Sequence, residues 1–458
     1  MPSKDPDCRC DGPHAPFWTR PGLSRRNFFS VAGSALGGYY FANVIDPPHV
    51  ITQAAVPTRS SATHCIFVLL TGAPSHVDTF DLKEGSWTPA NFNPTSYGDI
   101  RFPQGLLPRI AEQLQHIAIV RSMRAWALVH GLSQTWTQIG RNPTSLLGKV
   151  APHIGAVVAL EYDGRRRSSD ILPGFISLNA GGTQAGSGYL SSEYAPFGVN
   201  PNAGGLANTR HPEGEARFNL RWDLLRSLDD SLRQTAPLGR PTADMAAFED
   251  SARTLMYNPV VDQIFQFTNA ERQRYGNNAF GDACIVARNL VEQDRGTRFI
   301  QITLGGWDHH SAIYAANQLP ARAQQLDNGL GTLLSDLNSA GLLSHTLVVA
   351  SGEFGRTVGN LNGQQGRDHF FQQFALFAGA GVRGGRAIGS TDSRGAASAS
   401  YGWSRDRDVK AEDLEATIYS AMGIDWATIR YDDPFRRGFE YVPLSQYDVY
   451  GPINEIWG

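Results

Sequence analysis

Six short apolar runs set the limits on how this chain folds: residues 65–70, 117–120, 174–178, 299–304, 346–350 and 374–378. Several are near-continuous rather than alternating, as in Cys65-Ile66-Phe67-Val68-Leu69-Leu70. A strand with one wet face alternates in polarity. A strand that is apolar on both faces must be covered on both, as in a parallel sheet held between two helix layers. Segments with helical periodicity separate the runs, at 147–162, 219–234, 242–267, 279–294, 319–340 and 411–422, with an interruption expected at Pro259. From 319 to 353 the order is helix, Gly341 as a stop, then strand, which is an αβ unit with glycine at the helix end. The fold class expected is therefore α/β, doubly wound around a mostly parallel central sheet. Residues 200–217 and 390–408 read as loops, the second as a candidate surface flap.

The polar residues that follow these runs carry the functional signal. The first run leads into Thr71-Gly72-Ala73-Pro74-Ser75-His76-Val77-Asp78. The run at 299–304 leads into Gly305-Gly306-Trp307-Asp308-His309-His310, and that at 346–350 into Ser351-Gly352-Glu353-Phe354-Gly355-Arg356. A fourth cluster, Gly366-Arg367-Asp368-His369, precedes the last run. Ligands of parallel sheets bind at the carboxyl ends of strands. Glycines there let the backbone turn sharply, so carboxylates and imidazoles from separate segments can converge. A mixed Asp/Glu/His set suits a divalent metal ion: zinc, manganese, calcium or magnesium. Asp308 and His310 sit two positions apart, so an extended segment directs both to one side and His309 to the other, toward a supporting or substrate-contacting role. Each cluster also has a plainer reading: a solvated turn at Asp308, a Glu353–Arg356 pair, a cap at Asp368.

Composition excludes more than it selects. Apolar residues make up 41% of the 458 and the formal net charge is −3, which leaves no case for disorder or a nucleic-acid surface. Of the four cysteines, Cys8 and Cys10 fall in the N-terminal tail, while Cys65 and Cys284 read as buried small hydrophobes rather than a disulfide framework. No dinucleotide fingerprint follows the first run, and no Cys-rich cluster or haem attachment motif is present, which argues against an oxidoreductase. Residues 1–55 look like a tail and signal peptide. Ser24-Arg25-Arg26-Asn27-Phe28-Phe29 resembles a twin-arginine export motif, and a Gly/Ala-rich, weakly apolar run follows to Ile45. That run is short of the ~20 apolar residues a membrane span requires. Cleavage is expected near Gln53-Ala54-Ala55. The translocase is then a partner during export, the membrane is one only if the signal stays uncleaved, and the destination is the periplasm or cell envelope.

The segments 69–83, 305–310, 347–357 and 366–370, together with Val382-Arg383-Gly384-Gly385 and 413–425, resemble the motifs of domain of unknown function 1501. That family is grouped with the alkaline phosphatase and sulfatase superfamily. The resemblance implies a three-layer α/β/α sandwich over residues 56–458 with a metal centre at the strand ends, and phosphate- or sulfate-ester chemistry. It implies metal-ligand roles for Asp78, Asp308, His310, Glu353, Asp368 and His369. It sets His130, in His130-Gly131-Leu132-Ser133…Ile139-Gly140-Arg141, at the position where superfamily hydrolases carry a Ser, Thr or modified Cys nucleophile. Arg356 and Arg367 are candidates to clamp an anion through paired N–H donors. Two functions follow. One is an exported metal-binding hydrolase acting on an anionic small-molecule or glycan ester. The alternative is a non-catalytic envelope protein that binds an anionic glycan or a protein, favoured by the missing hydroxyl nucleophile.

Overall fold

The computed structural model describes residues 56–235 and 239–457. The arginine pair, the cleavage zone, Cys8 and Cys10 lie outside them. All six apolar runs are strands of one sheet. They are β1 (His64–Leu69), β2 (Ile117–Arg124), β3 (Phe175–Leu178), β5 (Phe299–Thr303), β6 (Thr346–Ser351) and β7 (Gln372–Ala378). Two short edge strands too weakly patterned to stand out, β4 (Phe197–Val199) and β8 (Arg386–Ile388), complete an eight-stranded sheet in the order β8-β2-β7-β6-β1-β5-β3-β4.

Strand β1 lies at the centre, parallel to β5 and β6, with Cys65 level with both Phe299 and Leu347. Its residues divide by alternation between two cores. Ile66, Val68 and Leu70 enter one, and Cys65, Phe67 and Leu69 enter the other. This is the two-faced burial that the continuous apolar pattern requires. The helices Pro259–Phe265, Ala279–Gln293, Leu319–Leu326 and Thr332–Ser339 supply the first core; Ile154–Asp163 and Ala411–Ala421 supply the second. The expected α/β/α layering and mostly parallel sheet are thus observed. Cys65 and Cys284 are buried and unpaired, one in each core.

One strand breaks the parallel order. β7 runs antiparallel to both β6 and β2. Its first residues therefore lie at the same end of the sheet as the last residues of its neighbours: Gln372 pairs with Arg124 and Ala375 with Ser351. This reversal brings the cluster that precedes β7 to the carboxyl ends of the parallel strands.

Two helix expectations need correction, and one helix is added. The segment 147–162 is split into a 3-10 turn, Gly148–Val150, and an α-helix, Ile154–Asp163, because Pro152 holds Ala151 extended and the His153 side chain then caps by accepting the N–H of Gly155. The segment 319–340 is interrupted by a π-helical turn, Asp327–Gly331, where the Asp327 carboxylate accepts the N–H groups of Arg109 and Ile110. A ten-residue helix, His130–Ile139, follows β2 and was not among the helices expected. The segment 390–408 is not a free flap. It pairs with itself through Ser390–Thr391 and Ser398–Ser400 and is tied down where the buried His76 donates from Nε2 to the Gly395 carbonyl at 2.9 Å. No helix of the described residues is long and apolar enough to cross a membrane.

Candidate functional site

Four segments meet at the carboxyl end of the sheet. His130 opens the helix after β2, Asp308 and His310 follow β5, Glu353 follows β6, and Asp368 and His369 lead into β7. One ring nitrogen each of His130 and His369 and one Asp308 carboxylate oxygen all lie within 4.8 Å of one another. Asp308 Oδ1 is the focus. It stands 3.3 Å from His130 Nε2, 3.0 Å from His310 Nε2 and 3.7 Å from His369 Nε2. The i, i+2 pair Asp308 and His310 does converge, and side-chain exposures of 25–45% across the four residues leave the cluster open to solvent.

The outer nitrogens settle which ring atoms face inward. His130 Nδ1 is 2.7 Å from Glu353 Oε1, His310 Nδ1 is 2.8 Å from Asp368 Oδ1, and His369 Nδ1 is 2.8 Å from the Leu128 carbonyl. Each of those partners only accepts, so each imidazole carries its proton on Nδ1 and turns an Nε2 lone pair toward Asp308. Metal-binding histidines are held in this way, by a carboxylate or carbonyl on the far nitrogen. The Nε2 atoms of His310 and His369 are only 3.1 Å apart, and buried His130 Nε2 makes no hydrogen bond. Lone pairs facing one another at that distance repel unless a cation or proton lies among them; Arg356 Nη1 supplies one such proton to His310 Nε2 at 3.3 Å, and His130 Nε2 is left without one. Ligands bound at about 2.1 Å around a tetrahedral ion stand roughly 3.4 Å apart, close to the separations from Asp308. The donor set therefore fits a divalent cation held by His130, Asp308 and His369, with His310 at hand.

The charges around the cluster pull its members in different directions. The hydrogen bond to Glu353 raises the His130 pKa above its ordinary value against the pull of burial. Burial lowers that of His369. At Asp308 burial opposes ionisation, but the hydrogen bond and charge of Arg356 outweigh it and hold the carboxyl below the usual range.

The remaining expected residues fall elsewhere. Glu353 stands behind His130 with its side chain fully buried, and its Oε1 also accepts from the Gly72 N–H and Gln134 Nε2. Asp368 supports His310 from outside the cluster. Arg356 is buried, with its guanidinium donating to the carbonyls of Ala73, Gly72 and Arg367, to His310 Nε2 at 3.3 Å and, at 2.5 Å, to Asp308. It fixes Asp308 and has no donor pair left for an anion. Asp78 and Arg367 are not with the cluster but bound to each other. Asp78 accepts from Arg367 Nε at 2.6 Å and Nη2 at 3.1 Å and also from Ser75 and Tyr314, while Arg367 Nη1 meets the Thr357 and Gly359 carbonyls. With Arg367 fully enclosed, the ligand role for Asp78 and the clamp role for Arg367 both give way to a structural ion pair. His309 is also buried, its pKa pushed down to about 4 chiefly by that burial, so it faces no substrate. Gln134, which ties Glu353 to the next helix turn, escaped notice because nothing marks it beyond its place one turn after His130.

A family model described as a protein of unknown function, DUF1501, matches residues 62–437. The chain belongs to this family. No curated protein matches the chain in sequence. Among solved structures, Ps i-CgsB in complex with k-i-k-neocarrahexaose is similar at 12% identity and a TM-score of 0.40, covering 85% of this chain and 77% of that one. A sulfatase from Pseudoalteromonas sp. is similar at 12% identity and 0.37, covering 88% and 72%. A protein of the alkaline phosphatase superfamily from Vibrio parahaemolyticus is similar at 10% identity and 0.35, covering 83% and 71%. With overlaps this partial, the architecture of this DUF1501 member rests on its own strand order.

Proposed function

We propose that this DUF1501 protein is an exported, metal-dependent hydrolase of phosphate or sulfate esters, with its reacting centre at His130, Asp308, His310 and His369. One observation carries the reading: three imidazoles, each anchored through Nδ1, present Nε2 around a single carboxylate oxygen. A divalent ion there supplies Lewis-acid polarisation of an ester oxygen. The chain's own residues do the rest. Glu353 fixes the His130 tautomer and stabilises its charged form, so that Nε2 is either a metal ligand or a proton acceptor at the helix start. Arg356 locks the Asp308 carboxylate. The N-terminus of the His130–Ile139 helix adds N–H groups and dipole favourable to an anionic ester.

The test is elemental analysis of purified protein beside a panel of aryl phosphate, phosphodiester and sulfate esters. About one metal ion per chain and turnover of at least one ester are expected, both lost in Asp308→Ala. Metal-free protein, or turnover unchanged in Asp308→Ala, contradicts the reading. A second reading, a non-catalytic metal-binding envelope protein, is favoured because the two serine hydroxyls nearest in sequence to the helix start are both engaged by backbone carbonyls. Ser133 Oγ donates to the Ala127 carbonyl at 2.8 Å and Ser122 Oγ to that of Tyr401 at 2.7 Å. Metal without turnover on any ester supports this second reading.

A further inference from the structure

A cavity that nothing above uses shares Gln134 with the residues that support the cluster. It measures about 160 Å³ and opens at the ends of β1 and β5, with Thr71 and Thr303 on one side and Gly181 and Gly182 at its exposed rim. Four glutamines line it, Gln134, Gln138, Gln184 and Gln301, and no charged side chain does.

The amides are not loose. Buried His153 takes the Gly155 N–H on Nδ1, so its Nε2 carries the proton and donates to Gln301 Oε1 at 2.7 Å. Burial pushes the His153 pKa down to about 3, which keeps the ring neutral. The Gln301 amide nitrogen is then directed to Gln184 Oε1 at 2.9 Å. On the opposite wall Thr183 Oγ1 donates to Gln134 Oε1 at 2.7 Å, and Gln138 Nε2 donates to the carbonyls of Gln134 and Thr183. Every glutamine is oriented by its neighbours. Left over are the hydroxyl of Thr71, which makes no hydrogen bond among the described residues, and that of Thr303, which only accepts, at 3.4 Å from Gln301.

This lining selects its ligand by exclusion. A charged group would enter without a counter-charge. An apolar group would strip water from the hydroxyls and amide edges and return nothing. A neutral group with alternating donors and acceptors satisfies both threonines at once. Gln134 joins the cavity to the cluster, since its Nε2 bonds Glu353 Oε1 at 3.0 Å, the same oxygen that holds His130.

We infer that this cavity is a binding site for a neutral polyhydroxylated group, a sugar or cyclitol ring, donated to by Thr71 and Thr303. Resting on the reading of the His130 cluster as the reacting centre, it makes the substrate an ester of such an alcohol.

Saturation-transfer NMR of the full chain with glucose, galactose, mannose and myo-inositol tests it on wild type, Thr71→Val/Thr303→Val, Thr71→Val alone and Asp308→Ala. At least one of the four is expected to bind wild type and Asp308→Ala alike. Its affinity falls about tenfold or more in the double variant, from the loss of two hydrogen bonds. Thr71→Val alone gives a smaller loss and carries the result if the double variant does not fold. No binding by any of the four, or equal binding by wild type and Thr71→Val, overturns the inference. Ester turnover without sugar binding overturns this site alone, whereas sugar binding without turnover or metal overturns the hydrolase reading and leaves the cavity assignment standing.

Discussion

Glu353 shows most sharply how a single residue can carry the site without touching a substrate. Its Oε1 accepts three hydrogen bonds, from Gly72, His130 and Gln134. Glu353→Gln keeps an oxygen but loses the charge that holds His130. Supporting carboxylates of this kind change metal affinity by ~10–100-fold, so competition with a chelator should show a weakening of that order with the fold intact. Asp78 and Arg367 are a different case. Their pair is fully buried, and removing one member of such a pair costs about 3–5 kcal/mol. Asp78→Asn should lower the denaturation midpoint strongly, and the paired change Asp78→Leu/Arg367→Met should recover part of the loss. Sequence reading placed Asp78 at the metal because it cannot show which carboxylate is already neutralised from 289 positions away. Asp308 and His310 were legible because their convergence depends only on extended backbone between them. Away from the site, burial raises the Glu415 pKa to about 8, against the pull of Arg141. Folding therefore takes up a proton there between pH 4.5, where an ordinary glutamate titrates, and about 8, and stability falls as pH rises through that window. Urea titrations of Glu415→Gln should show a flatter dependence on pH than wild type over the same range.

At the scale of elements, the turn after β1 holds the site together. Gly72 adopts φ +102°, and a Cβ there would meet the Trp307 and Asp308 backbone nitrogens at 2.6 and 2.8 Å. Its N–H donates to Glu353 and its carbonyl accepts from Arg356. Gly72→Ala is thus expected to displace Asp308 and lower bound metal sharply under elemental analysis, an effect beyond the ordinary strain of a side chain at positive φ. The six strands that build the sheet were legible because burial on both faces leaves an unbroken apolar run. The reversed direction of β7 was not, since an apolar run reads the same either way, yet that reversal delivers His369. The helix His130–Ile139 was missed for a related reason. Its buried face is Ser133, Gln134, Thr137 and Gln138 rather than a row of aliphatic residues.

Across the whole molecule, one sheet collects four segments that lie far apart in the chain, so the cluster exists only when the protein is folded. Such a site would suit the export expected from the Ser24–Phe29 motif: twin-arginine export carries folded proteins, and a site that forms on folding can take its metal before leaving the cytoplasm. Changing Arg25 and Arg26 together to Lys should hold the full chain in the cytoplasmic fraction. The central claim is that His130, Asp308 and His369 share one cation. Anomalous diffraction from crystals grown without chelator measures this most directly. A single strong peak is expected about 2.0–2.3 Å from His130 Nε2, Asp308 Oδ1 and His369 Nε2, absent in Asp308→Ala. Crystals with no peak at these three atoms, or a peak that persists in Asp308→Ala, would contradict it.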